Sequence, residues 1–234
     1  MRQKLLLTPL LLATLAMSAC AIPHQYSAAP IEAWIVDAET SQPIEGVAVV
    51  AHWQLEGGFE GGNNMGQMMV MEAVTDPAGR FSFPAWGPKW TPVFSWMNSN
   101  ARLKSMDPVM ILFKSSYEYL GLMNPWEQGV KWDKKPYLRA SQWNGKTIKM
   151  KKFVGDLKGY ASHLSHLSIS IDFAMDNCDW KKIPRMLVAV DKQEQVFRKN
   201  NVYSSLPSID YFTLGPRGQC GSGSAQEFFK DYLK

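Results

Sequence analysis

"VTDPAGRFSF", residues 74–83, is the stretch whose reading decides the fold. Asp76-Pro77-Ala78-Gly79 carries what a type I turn asks for: Asp at the first position, a φ-fixing Pro at the second and Gly at the fourth. Beyond the turn, Phe81 and Phe83 alternate with Arg80 and Ser82, as a strand with one buried face requires. The stretch reads as strand, tight turn, strand. It is a sheet corner rather than part of an active site.

Outward from this corner the signals are short strands. "IEAWIVDA" (31–38) and "GVAVVAHWQL" (46–55) are β-branched and aromatic runs joined by the turn-forming "ETSQPIE" (39–45), and "QMMVMEAVTD" (67–76) leads into the corner. "DPVMILFKSSY" (107–117) and "GKTIKMKKF" (145–153) follow, each bounded by breakers. The order "IVDAETSQPIEGVAVV", "AVTDPAGRFSF", "VMILFKSSY" resembles the carboxypeptidase regulatory-like domain. The residues that carry the resemblance are Pro43, Gly46, Val47, Val49, Thr75, Asp76, Gly79, Phe81, Phe83, Lys114 and Tyr117. It implies a transthyretin/Ig-like β-sandwich of about seven strands over residues 31–152, and it says almost nothing about activity. Residues 84–107 and 120–144 are longer than such loops need, and hold Trp86, Trp90, Trp96, Trp126, Trp132 and Trp143.

After residue 152 the period changes. Leu157, Tyr160, Ala161, Leu164, Leu167, Ile171 and Ala174 recur at helical spacing, and Ile183, Met186, Leu187, Val190 and Phe197 repeat it, with Pro184 in a first turn. Ser224 and Glu227 have capping-box spacing for a short terminal helix with Phe228, Phe229 and Tyr232. The expected fold is therefore mainly β, with Trp-rich loop insertions and an α-helical region over 153–234.

The N-terminus carries an address. Arg2 and Lys4 precede the apolar run Leu5 to Leu15, which is too short to span a bilayer, so residues 1–19 read as a secretory signal. Met17-Ser18-Ala19-Cys20 resembles the lipobox of bacterial lipoproteins, with Met17 where that family usually has Leu. The resemblance implies cleavage before Cys20, lipidation of its thiol and amine, and, with Ala21 next, sorting to the outer membrane. Residues 20–30 then read as a lipidated tether. The remaining cysteines, Cys178 and Cys220, would pair in the oxidising periplasm. The net charge of +4 falls to about +2 once Arg2 and Lys4 leave with the signal, and nothing in it asks for nucleic acid.

Catalytic signatures are sparse. No Glu stands three after His24, His52, His163 or His166, so the zinc-binding His-x-x-Glu of metallocarboxypeptidases is missing. "GSGSA" (221–225) is not a nucleophile elbow, and "GGFEGGNNMG" (57–66) lacks the Lys-Ser/Thr of a phosphate loop. His163 and His166 are spaced to reach one metal from a helix, but read as boundary residues of an apolar stripe. The expectation is a non-catalytic lipoprotein without cofactor, attached to the membrane at Cys20 and binding an envelope protein or glycan. Trp90, Trp96, Trp126 and Trp132 are the candidate stacking platforms. The alternative is copper handling by the thioethers of Met65, Met68, Met69 and Met71, with His52 as a further ligand, and behind it an uncharacterised hydrolase. As a plain strand, Met69 and Met71 would share a face with Met68 opposite.

Overall fold

The computed structural model describes residues 24–57, 62–92, 101–124, 137–175, 177–212, 220 and 225–233. Eleven strands lie in them: β1 (Gln25–Ala28), β2 (Ile31–Asp37), β3 (Ala48–Gly57), β4 (Asn63–Val74), β5 (Arg80–Phe83), β6 (Trp86–Trp90), β7 (Arg102–Leu103), β8 (Val109–Phe113), β9 (Leu120–Leu122), β10 (Tyr137–Arg139) and β11 (Thr147–Met150). The helices are α1 (Leu157–Ser170), α2 (Pro184–Lys199) and α3 (Ala225–Phe229), with short 3₁₀ turns between them. The chain is a β-sandwich with a helical C-terminal region.

One sheet runs β4-β3-β8-β9, with β7 also on β3; a second runs β11-β2-β5. Their facing sides form the sandwich core, where Ile31, Ala33, Ile35, Phe81 and Phe83 meet Val49, Ala51, Trp53 and Leu112. The other side of the first sheet is also covered. Ala48, Val50, Val70, Ile111 and Phe113 pack with Tyr160, Leu164, Leu187 and Phe197 of α1 and α2. Strand β3 is thus buried on both faces, which is why "AVVAHW" lacks a clean alternation.

The corner is built as its residues dictate. The Gly79 N–H donates to the Asp76 carbonyl (2.8 Å), while the Asp76 carboxylate accepts from Ala78 N (2.9 Å) and Arg80 N (2.9 Å). Gly79 has φ +71°, and a Cβ there would lie 2.4 Å from the Ile35 carbonyl oxygen, so only Gly lets β2 pass this close. Buried Thr75 ties the other side: its hydroxyl accepts from Val47 N (2.9 Å) and donates to the Ile44 carbonyl (2.6 Å). Asp37 accepts from Glu39 N, from Thr40 N and hydroxyl, and from the Tyr117 hydroxyl. With the Thr40 backbone bond contributing most, these bonds hold its carboxyl down to about 2. Lys114 caps the Glu45 carbonyl at 2.7 Å.

Two expectations need correction. Residues 20–30 are not tether throughout, because Gln25–Ala28 is a strand with Tyr26 and Ala28 buried, paired to β6 and β10. Its apolar alternation is two residues long, too short to stand out in the sequence. The insertions are not simply loops: they supply β6, β7, β9 and β10, and β10-β1-β6 makes a third small sheet. Residues 93–100 and 125–136 of those insertions, like Cys20, lie outside the described residues.

In the helical region Asp156 caps α1 by accepting from Gly159 N (2.7 Å), and Pro184 occupies the first turn of α2. Cys178 and Cys220 form a disulfide, with Cα atoms 5.6 Å apart, across 42 residues. Closing a loop of that length contributes about 4 kcal/mol on the chain-entropy estimate. It brings the terminal segment to Trp180, whose ring meets Phe228 (5.2 Å) and Phe229 (5.6 Å).

Gly79→Ala is expected to destabilise the fold by about 2 kcal/mol or more, through positive φ and collision with β2. Thr75→Val should cost about 1–3 kcal/mol by leaving the Val47 N–H unpaired. Urea unfolding of the mature chain measures both, and wild-type stability in Gly79→Ala would show that the corner is not a constraint.

Candidate functional site

The methionine run lies on β4, and a bulge decides where it points. Met69 pairs with Trp53 and Met71 with Ala51, but the next pair is Gln67 with Gln54, leaving Met68 as the extra residue. The slip turns Gln67 toward the helical side, where its side-chain oxygen lies 3.0 Å from His52 Nδ1. Met68 turns the other way. Met65, Met68, Met69 and Met71 all pack against the sandwich core, so the expectation that Met68 opposes Met69 and Met71 is corrected.

His52 does not join them. It pairs with Val70 across the strands, stacks on Phe173 with centroids 4.3 Å apart, and burial pushes its imidazole down to about 4. Its ring is neutral at physiological pH and belongs to the layer between sheet and helices.

Met65 and Met68 form one wall of a cleft of about 400 Å³. Strand β6 brings Lys89 and Trp90 to it, and the turn before α2 adds Asn177, Asp179 and Lys182. Trp90 is 60% exposed, although its strand is fixed by pairing with β1. Lys182 bonds Asp179 at 2.7 Å, so the cationic rim is partly neutralised from within. This combines a rigid, accessible indole face with polarisable thioethers and hydrogen-bonding groups at the edge. An exposed indole face of this kind has the shape and polarisability to stack on a flat or ring-shaped group.

The other tryptophans divide. Trp86 is buried, edge-on to Trp53 at 5.4 Å, and Trp143 packs partly against the core while its Nε1 donates to the Met123 carbonyl. Trp96, Trp126 and Trp132 lie outside the described residues. Lys89, Asn177, Asp179 and Lys182 were not legible as site residues. They come from segments about 90 residues apart, and no local spacing links them.

A second cleft, of about 470 Å³, is lined by Glu72, Lys181, Lys182, Arg185 and Tyr232 among others. At its base Glu72 accepts from Arg185 N (3.0 Å) and Met186 N (2.7 Å). Helix α2 has no cap of its own, because Ile183 stands at that position, and the sheet supplies one from 113 residues away. Burial pushes the Glu72 carboxyl up to about 7, against the pull of both N–H bonds. Asp107 is wholly buried and is pushed up to about 7 by burial, with one oxygen accepting from Gln54 N at 2.7 Å. His163 accepts the Tyr119 N–H on its Nε2 at 3.2 Å. Among the described residues no three of His, Cys, Asp and Glu gather as a metal site, and no helix is long and apolar enough to cross a membrane.

No protein-family model and no curated protein matches the chain. Among solved structures it is similar to a 9R-lipoxygenase from Cyanothece PCC8801 at 11% identity and a TM-score of 0.21, over 81% of this chain and 30% of that one. The chain thus spans less than a third of that protein. A likeness this weak carries no argument about fold or activity.

Glu72→Ala should lose about 1–3 kcal/mol by uncapping α2. Glu72→Gln retains a carbonyl acceptor and should separate the charge from the cap. Because the folded carboxyl is raised, its contribution is complete below the unfolded value near 4.5 and is lost as pH rises through about 7. Wild-type stability relative to Glu72→Gln should therefore fall between pH 5 and 8, and parallel pH profiles from urea unfolding would contradict the assignment.

Proposed function

We propose that this is a non-catalytic lipoprotein of the bacterial outer membrane, anchored at Cys20, that binds an envelope glycan or protein through the Trp90 cleft. The observation that carries the reading is an indole 60% exposed on a strand paired at both ends of its register, beside Met65 and Met68 in a cleft of about 400 Å³. A large aromatic face left in water on a rigid strand is costly for solubility and useful for stacking. The resemblance to the carboxypeptidase regulatory-like domain supports an accessory module, since its motif residues bond the sheet corner. Two strongly shifted titratable groups support the same side: His52 and Glu72 are each engaged in contacts within the fold.

The test is calorimetric titration of the mature chain with soluble peptidoglycan fragments and envelope polysaccharide. Trp90→Ala is expected to weaken binding roughly tenfold while leaving the unfolding midpoint unchanged. Crosslinking from position 90 in intact cells addresses a protein partner. No binding in either format that depends on Trp90 would end this assignment of the cleft.

A second reading is favoured by the bulge at Met68, which brings its thioether to the sandwich side where Met65, Met69 and Met71 also pack. Soft thioethers select Cu(I) over harder ions. Cu(I) titration against a competing chelator should then show a site weakened at least tenfold in Met65→Leu/Met68→Leu. Equal retention of copper by that variant and wild type would assign the methionines to packing alone.

A further inference from the structure

We infer that the Trp90 end of the sandwich rests on the bilayer surface, with Trp90 and Lys89 in the headgroup layer of an anionic membrane. The inference rests on the proposed lipid anchor at Cys20. His24 N donates to the Thr91 hydroxyl (2.9 Å), Thr91 N donates to the His24 carbonyl (2.8 Å), and Gln25 stands opposite Trp90. Three residues lie between Cys20 and His24, and the four fully extended Cα–Cα steps span about 14 Å. His24 therefore stays within that distance of Cys20, and Trp90, across the ladder from Gln25, is a large exposed apolar group beside it.

The chemistry of this end suits one occupant. Indole partitions to the membrane interface, where its apolar face and N–H are both accommodated. Lys89 is exposed beside it, and among the described lining residues Lys89 and Lys182 stand against the Asp179 carboxylate. The described part of the rim is therefore net cationic, a charge that lipid phosphates attract. A ligand that reaches the cleft in this pose is membrane-borne, such as the sugar or phosphate head of an anionic lipid. That narrows the envelope ligand proposed above.

The test uses the full lipidated chain reconstituted into phosphatidylcholine vesicles containing bromine-labelled lipid, with and without phosphatidylglycerol. Intact mass first establishes whether Cys20 carries lipid. Wild-type tryptophan emission should be quenched by the bromolipid, and Trp90→Phe should lose most of that quenching. Phosphatidylglycerol should increase the wild-type effect, and Lys89→Glu should remove the increase. Lipid on Cys20 with equal quenching in wild type and Trp90→Phe overturns the docking pose and leaves the anchor standing. An unmodified Cys20 in protein recovered from the source membrane overturns both. Quenching that ignores phosphatidylglycerol and Lys89→Glu overturns the electrostatic part and assigns the contact to indole alone.

Discussion

Strand β3 is covered on both faces, and the rest of the structure depends on that constraint. Val49, Ala51, Trp53 and Leu55 point into the sandwich, while Ala48 and Val50 point into the helical layer. A sheet with two apolar faces cannot stand with one of them wet, because each fully exposed Val or Leu side chain forfeits about 1.5–3 kcal/mol of burial. The helical region is therefore an obligatory third layer over Ala48, Val50, Val70, Ile111 and Phe113. The same logic explains the cap that Glu72 gives α2: a helix laid on a sheet borrows a partner for its first N–H groups from the strand beneath.

The sheet corner was legible because its chemistry is local. Asp76, Pro77 and Gly79 specify a turn within four residues, Phe81 and Phe83 show the period, and the strands expected around them at 31–38, 46–55, 67–76 and 107–117 are present. The helices were legible for the same reason, since α1 and α2 follow from apolar spacing alone. What escaped is non-local. Strand β1 is four residues long with two buried apolar positions, and its partners β6 and β10 sit in segments whose Trp and Pro content reads as loop. Their pairing is a tertiary fact. Trp90 was legible as a candidate, whereas the cleft around it was not, because its walls come from β4, β6 and the turn at 177–182.

The methionine run shows how one residue of register changes a chemical expectation. An unbroken strand would put Met68 on the side of His52, giving a mixed imidazole and thioether set. The bulge exchanges Gln67 and Met68 between faces, so His52 receives an amide partner and the sandwich side receives another thioether. No sequence pattern announces this, since Gln67-Met68-Met69 is compatible with either register. The bulge also separates the two chemistries completely: a neutral, stacked imidazole on the helical side, and soft sulfur on the other.

The strand at residues 25–28 also changes what an anchor does. A flexible ten-residue tether has a root-mean-square span of about 18 Å and leaves the domain free to present any face to the membrane. Pairing β1 between β6 and β10 consumes the middle of that segment and fixes its start against Thr91. In the anchored form proposed above, the degrees of freedom left to the domain are those of the few residues before His24. The fold, rather than a linker, then sets which surface is nearest the lipid. That surface carries the exposed indole, the cleft and its cationic rim, while the disulfide-bonded helical layer covers the opposite face of β3. In that proposed form, orientation at the membrane would follow from one short strand.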